Sequence, residues 1–218
     1  MTRADKGELA TETARQALWQ ALRSGQLRDG QFLSMPQLVE LLDCPIAAIR
    51  EAVRLACSQG LLTTLPKRGV QVMEVTPEVI RSCLDFRMAM DQEGARRRIQ
   101  RGDLRELTSL RAAHEAMLNA AMADDMANLP PRAIQVDLSL HDYLAIGLEN
   151  PWLEQAYEAN RMRVAIIQNA RPFLPDRILS AMQEHLDIIA GLEAQDGAIV
   201  QEAIATHYRN TLRWWGVG

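Results

Sequence analysis

Apolar residues recur at helical spacing in three short runs near the start of the chain. The first run, at residues 8–24, places its apolar side chains on a single stripe. Ser34 is a candidate N-cap for a second short helix, and Pro36 suits its first turn. Asp43 is then the predicted N-cap of a third helix at about residues 44–59. The pattern therefore predicts three short helices in succession.

Residues 61–75 alternate between apolar and polar positions on either side of Pro66-Lys67-Arg68-Gly69. Alternation around such a turn predicts a two-stranded hairpin. Three short helices followed by a hairpin are typical of a winged helix-turn-helix domain, whose third helix enters the major groove of DNA. A small helical domain without a role on nucleic acid stays open as the alternative.

The rest of the chain, residues 76–218, has helical periodicity throughout. Its segments are separated by a polar, proline-bearing break at 124–131 and a proline-bearing link at 171–175. We predict helices at about 77–101, 103–124, 132–148, 151–170, 176–194 and 196–214. Six helices with short connections form an antiparallel bundle. The predicted fold class is mainly α, with a winged helix-turn-helix domain at 1–75 and an all-α domain at 76–218.

Charge and cysteine usage narrow the possible classes. The formal net charge is −4, so no global basic field attracts nucleic acid. Residues 1–75 hold nine Lys and Arg against eight Asp and Glu, so any nucleic-acid contact belongs in this part. The 3 cysteines are odd in number and lack CxxC spacing, which argues against a disulfide framework or a zinc finger. With no signal peptide or long apolar span evident, we expect a cytoplasmic protein with no membrane contact.

Asp137 and His141 are four residues apart in a segment predicted to be helical, so they share one face of the helix. A carboxylate and an imidazole that converge in this way are suitable metal ligands. His185 and His207 lie in later helical segments, so one site can account for three of the 4 histidines. A hydrogen-bonded polar cluster without metal is the alternative. His114 lies among charged residues and alanines, and we expect it on the solvent-exposed surface.

A set of spaced segments in the first third of the chain resembles the DNA-binding domain of GntR-family transcriptional regulators. These segments are Gly25–Leu33, Leu38, Ile49–Ala52, Leu55, Gly60–Leu62 and Pro66–Val70. The likeness covers residues 8–75, with Arg50 at the position of the family's recognition-helix arginine and Gly69 at that of the wing glycine. The resemblance implies that a double-stranded DNA operator is contacted by Arg28, Arg50, Arg54, Lys67, Arg68 and Gly69.

The start of the predicted recognition helix departs from that family. Pro45-Ile46-Ala47-Ala48 stands where the family typically has Ser-Arg-Thr-Pro, so Ile46 replaces the arginine that reads base edges. Hydrogen bonds from a guanidinium to guanine are then missing, although Ile46, Ala47 and Ala48 could contact thymine methyl groups. The departure implies an altered operator preference or weakened DNA binding, with complete loss of operator reading as the alternative.

Residues 76–214 resemble the FadR-type C-terminal effector domain that many GntR regulators carry. The likeness depends on Asp137, His141, Asn150-Pro151, Glu184-His185, Asp196 and His207. It implies a divalent metal, zinc above all but also nickel or manganese, held by Asp137, His141, His185 and His207. It also implies a small carboxylate effector. Arg87 and Arg163 are the candidates to bind it, with surface salt bridges as the alternative for each.

These features favour a ligand-responsive, homodimeric transcriptional regulator of the FadR subfamily. A repressor is the expected mode of action, with an activator as the open alternative. Two alternatives to this function remain open. The first is a metal-dependent sensor that has lost or altered its DNA binding. The second is a helical metalloenzyme, which would need a metal-bound water and a nearby general base. The sequence has no nucleophile motif and no phosphate-binding loop. We therefore expect that the protein is not an enzyme.

Overall fold

The computed structural model describes residues 3–123, 129–171 and 173–218. In chain order the elements are α1 (Arg3–Arg23), β1 (Phe32–Leu33), α2 (Met35–Leu42), α3 (Ile46–Ser58), β2 (Leu62–Leu65), β3 (Gly69–Val72), α4 (Pro77–Arg101), α5 (Leu107–Met122), α6 (Leu129–Ile146), α7 (Pro151–Ala170), α8 (Pro175–Glu193) and α9 (Gly197–Trp214). Most of the predicted break at 124–131, and Pro172 of the predicted link, lie outside the described residues. The predicted fold class is confirmed. None of the helices in the described ranges is both long and apolar enough to cross a membrane.

The chain divides into two compact units. The first comprises Met1–Val79 together with Ala159–Ala170, and the second comprises Ile80–Glu158 together with Arg171–Gly218. The predicted boundary near residue 75 lies close to the first of these divisions. The second half of α7 was expected in the helical domain, but Met162 and Ile166 of that half belong to the apolar core of the first unit.

The first unit has the winged helix-turn-helix arrangement. Its sheet has the order β1-β3-β2, and both pairings are antiparallel. β2 and β3 are the predicted hairpin, whereas the two-residue β1 was not predicted. Gly69 begins β3 with a φ of 116°, and a Cβ added there would lie 2.2 Å from the Leu33 carbonyl oxygen. Glycine is therefore required where the hairpin meets β1.

The caps of α2 and α3 agree only in part with the sequence pattern. Ser34 caps α2 as predicted, because its hydroxyl accepts from the Gln37 amide while the Gln37 side chain accepts from the Ser34 amide. Asp43 was predicted to cap α3, and that prediction is wrong. Asp43 is instead the C-cap of α2 in the left-handed conformation, with φ and ψ both 47°. Pro45 is the N-cap of α3 and provides no side-chain cap.

The second unit is the helical bundle, and its helices place the candidate site. α4 and α6 approach closely because Gly94 has no side chain: a Cβ at Gly94 would lie 2.1 Å from the Leu144 carbonyl oxygen. α8 and α9 are joined by a short turn, in which Asp196 caps α9 by accepting from the amides of Ala198 and Ile199. α5 begins at Leu107 rather than near residue 103, after Glu106 in a left-handed conformation.

Candidate metal centre and nucleic-acid surface

Four buried side chains from three helices converge in the core of the second unit. α6 provides Asp137 and His141, α8 provides His185, and α9 provides His207. One potential ligand atom from each of the four residues lies within 4.8 Å of the other three. The exposed fraction is 6% for Asp137, 3% for His207, and 0% for His141 and His185. The sequence analysis named this group of four, and the structure brings its members together.

The hydrogen bonds of His141 leave one of its ring nitrogens free for a ligand. Its Nδ1 lies 2.6 Å from Asp91 Oδ2, which also accepts from the Tyr208 hydroxyl at 2.7 Å. Burial raises the pKa of Asp91 to about 7, against the opposing effects of Arg87 and the Tyr208 hydroxyl. Tyr208 donates to Asp91 Oδ2, and a carboxylate oxygen can accept a second hydrogen bond there when His141 carries its proton on Nδ1. Its Nε2 is buried without a hydrogen-bond partner among the described residues.

His207 has the same arrangement with a different carboxylate. Its Nδ1 lies 2.7 Å from Glu184 Oε2. Glu184 is held by the Arg177 guanidinium at 2.9 Å and the Asn210 side-chain amide at 2.9 Å. Burial, with the charge of Arg177, lowers the pKa of His207 to about 3, so its imidazole is neutral at physiological pH. The Nδ1 proton faces Glu184, and Nε2 keeps its lone pair.

His185 completes the group from α8. Its Nε2 lies 3.4 Å from His207 Nε2 and 3.6 Å from Asp137 Oδ1. Burial lowers the pKa of His185 well below its usual value, so this ring is also neutral. Its Nδ1 lies 3.1 Å from the Nε2 of His114, which was expected on the surface. That expectation is wrong, because His114 is 0% exposed.

The donor set fits a divalent cation. Three imidazoles and one carboxylate are typical zinc ligands, and two nitrogen ligands of a tetrahedral zinc ion lie roughly 3.4 Å apart. Two unprotonated ring nitrogens repel each other at the separation seen for His185 and His207 unless a positive charge lies between them. The buried Nε2 of His141, which has no hydrogen-bond partner among the described residues, is a further cost that a cation would remove.

Of the two arginines proposed for the effector, only Arg87 lies beside these four residues. Its exposed fraction is 6%, and its Nη2 lies 3.6 Å from Asp137 Oδ2. Burial lowers the pKa of the Arg87 guanidinium, but its neighbours together raise it by more, so the group is charged. These neighbours are Tyr208, Asp137, Asp91 and Tyr157. Neither Nε nor Nη2 has a hydrogen-bond partner among the described residues. Arg163 instead donates to the Gln59 carbonyl oxygen at 3.0 and 2.7 Å within the first unit, so we leave it out of the effector site.

The predicted DNA-contacting residues lie on the exposed side of α3 and the hairpin. A groove of about 500 Å³ separates α3 from the hairpin turn and is lined by Arg50, Lys67, Arg68 and Gly69, among others. Arg28 is exposed in the turn before β1. Arg54 is exposed too, but its guanidinium pairs with Glu51 at 2.6 Å in the same helix. Gly69 acts through its backbone conformation rather than through a side chain.

The first turn of α3 presents apolar side chains at the position where the family has an arginine that reads bases. Ile46 is 43% exposed, and Ala47 is exposed beside it. Ala48 is buried in the core of the first unit, so it is unavailable for the thymine contact considered above. Two apolar side chains therefore precede Arg50 on the exposed face.

Residues 82–210 match the FCD domain, over more than half of the chain. The chain belongs to the FCD-domain family. This domain is the C-terminal effector domain of GntR-family transcriptional regulators, and the whole of the four-residue centre lies within the matched range.

Solved structures similar to this FCD protein extend over both units. McbR/YncC of E. coli has a TM-score of 0.76 at 19% identity, covering 95% of this chain and 97% of its own. A putative GntR transcriptional regulator from Rhodococcus sp. RHA1 has a TM-score of 0.72 at 18% identity, and the match covers 94% of this chain and 98% of that one. At these identities the likeness shows the fold. No curated protein matches the sequence.

Several residues of the FCD site were missed by the sequence analysis. Glu184 adjoins His185 along the chain, yet it reaches His207 on the neighbouring helix. Asp91 gave no signal, because its partner His141 lies on another helix. For His114 the sequence did hold a signal. His114 falls on the buried face of α5 with Leu110 and Met117, at spacings of four and three residues.

Proposed function

We propose that this FCD protein is a ligand-responsive transcriptional regulator of the FadR type. Its helical unit would bind a divalent cation, zinc above all, through Asp137, His141, His185 and His207. The observation that supports this most strongly is the convergence of three buried Nε2 atoms, each on a ring whose Nδ1 has a partner elsewhere. A bound cation would supply a Lewis acid for an oxygen of the effector.

Arg87 is the residue that we propose for binding the effector carboxylate. Its guanidinium is buried and charged, and two of its nitrogens lack hydrogen-bond partners among the described residues. Leaving buried, charged donors without hydrogen bonds is costly, and a carboxylate can accept two parallel hydrogen bonds from one guanidinium. A small organic acid is therefore the ligand class that fits beside Asp137 and the cation.

The first unit would bind operator DNA in the cytoplasm, as one half of a homodimeric repressor that reads two half-sites. Arg50, Lys67 and Arg68 border one groove and would neutralise phosphates. Ile46 and Ala47 would contact thymine methyl groups in place of a guanidinium that reads guanine. The second candidate, a metal-responsive sensor with weakened DNA binding, is favoured by the apolar start of α3 and by the Arg54–Glu51 pair.

A thermal-shift experiment tests the effector and the cation together. The melting temperature of the metal-free protein is measured with zinc, and then with zinc and a panel of small carboxylic acids. A ligand that binds only the folded state raises the melting temperature, by an amount that grows with its concentration over Kd. We expect the acid to leave the melting temperature of Arg87→Gln unchanged, whereas zinc should still raise it.

Arg163→Gln is the matched control, because Arg163 donates to a carbonyl of the first unit. It should retain the increment from the acid. An acid that stabilises Arg87→Gln as much as the unaltered protein would remove Arg87 from the effector site. Failure of zinc to stabilise the unaltered protein would contradict the metal site.

A further inference from the structure

His114 is the histidine that the four-residue centre does not use, yet it is fully buried and contacts that centre. Its exposed fraction is 0%, and its two ring nitrogens have one partner each. Nδ1 lies 2.8 Å from the Leu110 carbonyl oxygen one turn earlier in α5. Nε2 lies 3.1 Å from Nδ1 of His185 on α8. The three groups form a chain of hydrogen bonds that crosses from α5 to α8.

The Leu110 carbonyl at the start of this series of hydrogen bonds fixes which atom donates in each of them. A carbonyl oxygen only accepts, so Nδ1 of His114 must carry a proton. The His114 ring is fully buried, which favours a neutral ring with a single proton. Nε2 of His114 then has a lone pair and can only accept, so Nδ1 of His185 must donate to it. A neutral His185 has its lone pair on Nε2, the atom that faces His207 and Asp137.

We propose that His114 is a positioning residue that holds His185 in the one tautomer and ring orientation able to bind the cation. The inference rests on the metal site proposed above. Partners of this kind, on the far nitrogen of a metal-binding histidine, fix its orientation and tautomer. His141 and His207 have carboxylates in this role, whereas His185 has a neutral imidazole anchored to the backbone of α5.

A purely structural role for His114 is the competing explanation. Its neighbours on the buried face of α5 include Leu107, Leu110 and Met117, so the ring also fills space in the core. The two explanations differ in what they predict for replacements of similar size. Filling space needs only an apolar ring, whereas positioning His185 needs a hydrogen-bond acceptor at the place of Nε2.

The test compares three variants in zinc binding, measured by competition with a chromophoric chelator. His114→Phe keeps a ring but removes the acceptor, and we expect zinc affinity to fall by about 10- to 100-fold. His114→Gln can place an amide oxygen near the lost Nε2, and we expect an affinity between those of His114→Phe and the unaltered protein. Met117→Leu alters the same buried face of α5 without touching the hydrogen bonds, and it should bind zinc like the unaltered protein.

A spectroscopic readout, applied to the unaltered protein and to the variants, separates positioning from packing. Nitrogen-15 NMR of the imidazoles reports which ring nitrogen carries the proton. In the zinc-free, unaltered protein we expect His185 to be protonated on Nδ1. We expect His114→Gln to preserve this tautomer and His114→Phe to lose its preference. If His114→Phe does not fold, the unaltered protein and His114→Gln still decide the question.

The outcomes distinguish this inference from the proposed function. If the unaltered protein binds no zinc, the metal site itself is wrong, and the role given to His114 is wrong with it. If it binds zinc and His114→Phe binds equally well, the metal site stands and only the inference is overturned. A His185 protonated on Nε2, or equal losses of affinity in His114→Gln and His114→Phe, would also overturn it.

Discussion

Three imidazoles in the core of the bundle keep their Nε2 lone pairs because three different groups accept from their Nδ1 atoms. Asp91, Glu184 and His114 are these acceptors, and each lies on a different helix from the imidazole that it contacts. The sequence predicted Asp137 and His141 from their spacing within one helix. It did not predict the acceptors, because contacts between helices leave no fixed spacing along the chain.

At the scale of single residues, replacing Asp91 should weaken zinc binding. In Asp91→Asn, the carboxylate oxygen near His141 and Tyr208 is replaced by a neutral amide, which is a weaker acceptor for both donors. We expect zinc affinity to fall by about 10- to 100-fold, since partners of metal-binding histidines typically have effects of that size. Isothermal titration with zinc measures the change. Asp85→Asn, an exposed change in the same helix, is the control. Equal affinities for the two variants would contradict the role given to Asp91.

At the scale of elements, periodicity predicted all six helices of the bundle and the three of the winged unit. Their ends were less well predicted, because caps depend on local competition between turn conformations. Asp43 could have begun α3 but ends α2 instead. β1 was missed because two residues become a strand only by pairing with β3, which lies 36 or more residues further along the chain. The second half of α7 packs in the first unit, a choice that its own pattern does not reveal.

At the scale of elements, we predict that a side chain placed where α4 crosses α6 lowers both the stability and the zinc affinity of the protein. α4 bears Arg87 and Asp91 within two turns of Gly94, and Gly94 lies directly against the backbone of α6. In Gly94→Ala the new methyl group would force the helices apart, at a cost of about 1–3 kcal/mol in the free energy of unfolding. We also expect weaker zinc binding, because Asp91 would move away from His141.

Urea unfolding and zinc titration measure the two effects of Gly94→Ala. Gly197→Ala is the matched control, because a Cβ at Gly197 meets no atom within 4 Å. It should leave both the unfolding midpoint and the zinc affinity unchanged. A Gly94→Ala protein that unfolds at the same urea concentration as this control would show that the crossing tolerates a side chain.

At the scale of the whole molecule, the FCD match and the winged unit support the proposal that ligand binding is coupled to DNA binding. The sequence alone predicted this organisation from the resemblance of its two parts to known families. It could not predict how strongly DNA is bound, because affinity depends on which side chains remain exposed on α3. Ile46 and Ala47 are exposed there, whereas Ala48 is buried.

DNA binding is tested by fluorescence anisotropy with a labelled DNA fragment from upstream of the protein's own gene. Arg50 is exposed and borders the groove between α3 and the hairpin, so we expect Arg50→Ala to weaken binding roughly tenfold or more. Arg23→Ala, an exposed change at the end of α1, should bind like the unaltered protein. If Arg50→Ala and Arg23→Ala bind equally well, Arg50 does not belong to the DNA-contacting surface. If the unaltered protein binds no DNA, the sensor alternative is favoured.

The central claim is that Asp137, His141, His185 and His207 bind one divalent cation. A crystal of the zinc-loaded protein, with data collected on both sides of the zinc absorption edge, tests it most directly. The claim predicts one anomalous peak at about 2.0–2.2 Å from the three Nε2 atoms and an Asp137 carboxylate oxygen. A fully loaded protein with no such peak among these side chains, or with its zinc held elsewhere, would contradict it.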